Sequence, residues 1–158
     1  MKANQIIKLV ASLLLPLGIG GIAGMFTTEA IPGWYASLNQ PSFNPPNWVF
    51  GPVWTTLYII MGISLFMILK MEVSKERNQA ILIFMAQLFL NFCWSFFFFY
   101  FKMIGLALID IAALWIMIVI MLVRFHKLKP VAAYINIPYL LWVTFATVLN
   151  AAYFFLNR

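Results

Sequence analysis

Three stretches of the chain carry aromatic and neutral polar residues at helical spacing. Trp54, Tyr58 and Met61 stand at i, i+4 and i+7, which puts them on one helix face. Gln87, Asn91, Trp94, Ser95 and Phe98 share a second face, and Tyr139, Trp142, Ala146, Leu149 and Tyr153 share a third. Any one stripe taken alone is equally a sign of plain helix packing. Three together, rich in Trp and Tyr with Asn, Gln and Ser interspersed, point to an apolar pocket with a few placed polar groups, the usual form of a small-molecule site. Large flat rings suit a flat aromatic ligand, which can stack on them.

Other chemistry is scarce. The single histidine, His126, sits in a basic joint and the single cysteine, Cys93, in an apolar run. They supply neither a structural zinc site nor a Cys-His nucleophile pair, and Cys93 has no intrachain disulfide partner. No glycine-rich phosphate loop follows a strand. Asp110 is the one ionisable residue well inside an apolar run. A lone carboxylate in hydrocarbon is costly, so it should face other helices. It reads either as a structural acid favoured by a nearby helix start or as a direct ligand or proton group.

The elements that must hold these residues follow from composition. The 158 residues are 65% apolar, 18% aromatic and only 9% charged, with a mean hydropathy of +0.97. Such a chain cannot cover its apolar surface with polar groups in water, which excludes a soluble enzyme and a disordered chain. The net charge of +6 is spread along the chain as membrane-flank charge and does not signal nucleic acid. Five apolar runs are each long enough to cross roughly 30 Å of hydrocarbon. They span about 6–26, 48–69, 80–101, 104–125 and 131–156. None alternates as a barrel strand does, so the fold class is an all-α membrane protein: a single domain over 1–158 forming a five-helix bundle in the lipid bilayer. Pro16 and Pro138 interrupt the first and fifth runs, where kinks are tolerated.

The joint at 27–47 contains Pro32, Pro41, Pro45 and Pro46 with Trp34 and Tyr35, and no Lys or Arg. It is too stiff and apolar for a free linker and reads as a lid over one end of the bundle. Trp34, Tyr35 and Trp48 read equally as pocket or as interfacial-belt residues. The joint Met71–Gln79, with Glu72, Lys75, Glu76 and Arg77, reads as a solvated turn. Lys2, Lys8, Lys70, Lys75, Arg77, Arg124, Lys127 and Lys129 fall on one side, and Lys102 and Arg158 on the other. In a plasma membrane that bias puts the N-terminus in the cytoplasm and the lid and C-terminus outside. The first run is too long for a signal peptide and lacks an Ala-x-Ala site, so it reads as an uncleaved span. Gly20-x-x-x-Gly24 would allow close helix approach. Leu149, Tyr153 and Arg158 fit a loose sterol-contact pattern.

The run Gly33-Trp34-Tyr35-Ala36-Ser37-Leu38-Asn39-Gln40-Pro41-Ser42, followed by Pro45-Pro46-Asn47-Trp48-Val49-Phe50-Gly51-Pro52-Val53-Trp54-Thr55-Thr56-Leu57-Tyr58, closely resembles the signature of the TspO/translocator protein family, the tryptophan-rich sensory proteins and peripheral-type benzodiazepine receptors. Gln87-Leu88-x-Leu90-Asn91-x-x-Trp94, Gly105-Leu106-Ala107-Leu108-Ile109-Asp110 and Pro138-Tyr139-Leu140-x-Trp142-x-x-Phe145-Ala146-Thr147-x-Leu149-Asn150 resemble its later helices. The resemblance covers the second to fifth runs and the lid, and is to the bacterial-type members. It implies a homodimer in the bacterial cell membrane that binds porphyrins (protoporphyrin IX or haem), benzodiazepine-like drugs and, in animals, cholesterol, with no obligatory cofactor. Matched pocket positions are Trp34, Tyr35, Pro45, Trp54, Tyr58, Asn91, Trp94, Ser95, Trp142 and Ala146. Some bacterial members are reported to break down protoporphyrin in light through tryptophans matching Trp54 and Trp142. Mammalian members carry Tyr directly after the pair matching Leu149-Asn150, where this chain has Ala151 and Ala152. The third run also lacks the small-xxx-small pattern that some bacterial members use to dimerise. A porphyrin receptor or sensor, a transporter of porphyrin, sterol or another lipophile, and a light-dependent porphyrin-degrading enzyme are the functions this implies. A purely structural helix bundle is the alternative in which every stripe is packing.

Overall fold

The computed structural model describes residues 3–158, which form helices without strands. The helices are α1 (Ala3–Ala30), α2 (Phe50–Leu69), α3 (Lys75–Ser95), α4 (Ile104–Leu128), a short α5 (Pro130–Tyr134) and α6 (Ile137–Leu156). Five helical segments, α5 and α6 counting as one, are long and apolar enough to cross a membrane.

The first helix outruns its apolar run. The hydroxyls of Thr27 and Thr28 donate to the carbonyls of Ala23 and Gly24 at 3.0 and 2.8 Å, which satisfies their polar groups within the helix. At Pro32, which has no N–H to offer the preceding turn, the ladder widens into one π turn over Ile31–Tyr35. Trp34 and Tyr35 therefore ride on a helical extension. The irregular lid is confined to about 38–46, half the length expected, before a 3-10 turn at Asn47–Val49 leads into α2.

The third helix starts earlier than expected, and its first turn is not a solvated joint. Ser74 caps it by accepting from Arg77 N at 3.1 Å. The Arg77 side chain, only 9% exposed, donates to the carbonyls of Ile68 and Leu69 at 3.3 and 3.2 Å. Lys8 Nζ adds a third contact to Leu69 O at 3.3 Å. The last carbonyls of α2 are thus capped by cations, the favourable sign for a helix C-terminus. The fifth run is not one kinked helix. It breaks between α5 and α6 at Ile135–Asn136, and Pro138 falls in the first turn of α6, where its missing N–H costs nothing. Pro16 stays inside an unbroken α1.

Close approach of α1 and α2 rests on glycines. A Cβ at Gly62 would stand 2.8 Å from Ser12 O, and one at Gly20 would overlap the Tyr58 ring. Gly24, by contrast, faces open space. α3 packs along α4, and α4 along α6. Between α3 and α4 the chain turns at Lys102, whose φ of 58° is left-handed. Asp110 is buried, 7% exposed, and its Oδ2 has no hydrogen-bond partner among the described residues. Of the basic residues counted on the N-terminal side, Lys2 lies outside the described residues. The others cluster at the end where α2 and α4 finish, opposite the lid.

Candidate functional site

At the lid end, α1 and α2 diverge and enclose a cavity of about 450 Å3. One wall is Gly20, Gly21, Gly24 and Thr27 of α1. The opposite wall is Gly51, Trp54, Thr55 and Tyr58 of α2, and the back is Trp94, Ser95 and Phe99. Asn47 and Trp48 sit at its edge, with Trp48 75% exposed. The glycines create the room, because a Cβ at Gly21 or Gly24 would meet nothing within 4 Å.

Behind Phe50, Trp54, Trp94 and Phe99 lies a second, narrow crevice of about 20 Å3, enough for a water-sized group. Its far wall is Tyr35, Trp142, Ala146, Leu149 and Tyr153. One aromatic partition thus serves both spaces. Trp54 stacks on Tyr58, with centroids 5.6 Å apart and planes 27° apart, and lies 6.3 Å from Trp94.

The polar groups are arranged unequally. Tyr58 OH donates to Asn91 Oδ1 at 2.7 Å, Asn91 Nδ2 to Tyr139 OH at 3.1 Å, and Tyr139 OH to Gln87 Oε1 at 2.8 Å. This buried chain runs in one direction, so the Tyr58 hydroxyl is a committed donor. Trp94 Nε1 donates to Asn150 Oδ1 at 3.0 Å, and Asn150 Nδ2 reaches Ile104 O at 3.1 Å. Thr27 and Thr55 donate back to their own helix. Beside the crevice, however, Trp142 Nε1 is buried with no partner among the described residues, while the Tyr153 hydroxyl lies against that of Tyr35. Buried donors are normally satisfied, so the Trp142 indole is the donor here left for an acceptor that a shift of the ring would bring within reach.

The lid is tied down at its two ends. Asn39 N donates to Asn157 Oδ1 at 2.8 Å, and Asn157 Nδ2 returns a bond to Asn39 O at 3.0 Å. Asn39 Nδ2 also reaches Leu156 O at 3.3 Å, and Tyr35 OH donates to Asn44 Oδ1 at 2.9 Å.

A model of the TspO/MBR family matches residues 12–156. The chain belongs to that family. It is 41% identical over 155 residues to the tryptophan-rich protein TspO of Archaeoglobus fulgidus, covering 97% of this chain and 99% of that one. It is 38% identical to the translocator protein of Bos taurus over 144 residues, 89% of this chain and 85% of the other. The tryptophan-rich sensory protein of Cereibacter sphaeroides is 37% identical over 117 residues, 74% of this chain and 72% of that one.

Within this TspO fold the ten expected pocket residues do not line a single space. Tyr58 and Ser95 line the cavity, Tyr35, Trp142 and Ala146 the crevice, and Trp54 and Trp94 both. Asn91, 1% exposed, stands behind Tyr58 as the hinge of the hydrogen-bond chain. Trp34 and Pro45 reach neither space. Trp34 packs edge-on against Phe98 at 5.6 Å, and Pro45 is half-buried in the lid. Leu149 and Tyr153 turn inward while Arg158 lies over the Phe155 ring at 4.9 Å, so these three do not form one membrane-facing sterol strip. The glycine wall was not foreseen. Gly20-x-x-x-Gly24 was its signal, but it reads as a contact motif, and only Gly20 makes a contact.

Proposed function

We propose that the protein is an integral membrane receptor that binds porphyrins, protoporphyrin IX or haem, and other flat hydrophobic molecules of drug size. The single observation that carries this reading is the Trp54–Trp94 partition, which lines a cavity on one face and, on the other, a crevice bordered by Trp142, whose indole N–H has no partner among the described residues. The cavity lies within the roughly 300–1,000 Å3 of small-molecule sites. Its rings offer stacking worth about 0.5–1.5 kcal/mol per pair beyond burial. Trp142 Nε1 is a neutral donor suited to a propionate or carbonyl oxygen. The test is a titration of the purified protein with protoporphyrin IX, read by tryptophan quenching. Saturable quenching with a raised melting temperature is expected. Quenching that grows in proportion to ligand without saturating overturns the reading.

Light-dependent breakdown of the bound porphyrin is part of this proposal, with Trp54 and Trp142 as the redox-active rings. Product formed in darkness would count against it, since no acid–base or metal centre stands in the cavity among the described residues. Transport of porphyrin, sterol or another lipophile is the second reading. It is favoured by a membrane-facing groove between α2 and α6 that shares Trp142 with the crevice. Flux into sealed proteoliposomes separates transport from binding. A homodimer in the bacterial cell membrane is what the motif resemblance implies, and the charge count favours a cytoplasmic N-terminus.

A further inference from the structure

The crevice is closed above and beside by very different means. Above it, the lid is latched by the paired amides of Asn39 and Asn157, with bonds of 2.8 and 3.0 Å, and by Tyr35 on Asn44 at 2.9 Å. Beside it, α2 packs on α1, α3 and α5 but makes no extended contact with α6. Between α2 and α6 runs an open groove of about 560 Å3, lined by Val53, Thr56 and Ile60 on one side and Leu141 and Phe145 on the other. Its one lining hydroxyl, on Thr56, is taken by Pro52 O at 2.9 Å. The groove holds no charge, and Leu141 is 63% exposed. Its residues fall inside two membrane-crossing segments, so it faces hydrocarbon.

Trp142 is the one residue that lines both groove and crevice. Its ring meets Phe50 edge-on at 6.0 Å and Phe145 at 5.5 Å, and its Nε1 bonds to nothing. No hydrogen bond therefore holds the ring in place. We propose that the α2/α6 groove is the entrance by which a flat apolar molecule dissolved in the bilayer reaches the Trp54–Trp94 partition, the Trp142 ring being the gate whose swing widens the narrow crevice behind it, with the lid remaining latched. This rests on the porphyrin reading above, since the molecule in transit is the ligand of that site. A water-borne ligand would need the lid. The apolar macrocycle of a porphyrin partitions into the bilayer with its propionates toward the headgroups, and this opening is uncharged and within the membrane-crossing segments.

The experiment follows protoporphyrin IX transferred from loaded vesicles to protein-containing vesicles by stopped-flow tryptophan quenching. Thr56→Phe and Leu141→Phe each put bulk into the groove from one side. Ile59→Phe, on the same helix but off the groove, controls for added bulk, and Asn157→Ala frees the lid. Melting temperatures identify folded variants, and the two groove variants substitute for one another if one does not fold. Both groove variants should slow entry and exit together, on the order of tenfold, with affinity near wild type. Ile59→Phe and Asn157→Ala should leave both rates unchanged. Unchanged rates in the groove variants, or faster entry in Asn157→Ala, overturn the gate while leaving binding intact. Absence of saturable quenching in the wild type overturns the porphyrin reading itself.

Discussion

Replacing four tryptophans one at a time by phenylalanine separates the roles of their indole N–H groups, because the hydrogen-bond geometry differs at each. Trp94 Nε1 is tied to Asn150, which is only 1% exposed. Trp94→Phe loses one buried bond and strands the Asn150 oxygen, a loss of about 2 kcal/mol. In a chain of this size that lowers Tm by roughly 4–8 °C. Trp142 Nε1 has no partner to lose. Trp142→Phe removes an unsatisfied donor and should leave stability within about 1 kcal/mol of wild type. Its affinity for protoporphyrin IX should fall by about 1 kcal/mol, roughly fivefold, the net worth of a hydrogen bond. Trp54→Phe keeps the ring on Tyr58 and should behave as Trp142→Phe does. Trp115 lies 37% exposed and donates to Thr144 Oγ1 at 2.8 Å between α4 and α6. Trp115→Phe should cost about 0.6 kcal/mol of stability and leave affinity unchanged. The assays are thermal denaturation in one detergent and quenching titration under the same conditions. A drop in Tm for Trp142→Phe as large as that for Trp94→Phe would refute the division into ligand-facing and structural N–H groups. So would an equal affinity loss at Trp115.

Gly24→Leu should fill cavity space with little effect on Tm and weaken porphyrin binding, whereas Gly20→Ala should lower Tm by crowding Tyr58; the two are read in the same pair of assays. Asp110→Asn removes a buried carboxylate without a partner, so Tm should hold or rise and affinity should stay within a few-fold; a fall in affinity with Tm intact would make Asp110 a functional acid. A C-terminal reporter should score as external in a bacterial plasma membrane, and a cytoplasmic score would refute the orientation drawn from the charge count.

Much of this was legible in the sequence. The helical apolar runs declared themselves because a bilayer imposes length and composition together. The stripes through Trp54, Gln87 and Tyr139 lie on faces that the fold turns toward one another, because a helix repeats regularly. Local terms were harder to read. Thr27 and Thr28 fold their hydroxyls back onto the helix and a π turn absorbs Pro32, so an apolar count ends α1 too soon. Arg77 reads as solvated until its distance to the carbonyls ending α2 is known. The split of the predicted pocket depends on where the Trp54, Phe50 and Phe99 rings settle, and helical periodicity fixes faces without fixing rotamers. The Asn39–Asn157 pair joins positions 118 apart, and neither residue carries a local sign of its partner.

The one-way chain from Tyr58 through Asn91 to Tyr139 bears on photochemistry. A tyrosine beside an electron-deficient tryptophan can refill it only if its phenolic proton has somewhere to go. Tyr58, stacked on Trp54, delivers its proton to the amide oxygen of Asn91, which accepts a hydrogen bond but is far too weak a base to keep the proton. The next group along, Tyr139, is itself a donor to another amide, Gln87. The chain therefore insulates. On the proposed photochemistry, an electron taken from Trp54 by an excited macrocycle would not be restored from below, and the oxidising equivalent would stay on the Trp54 ring.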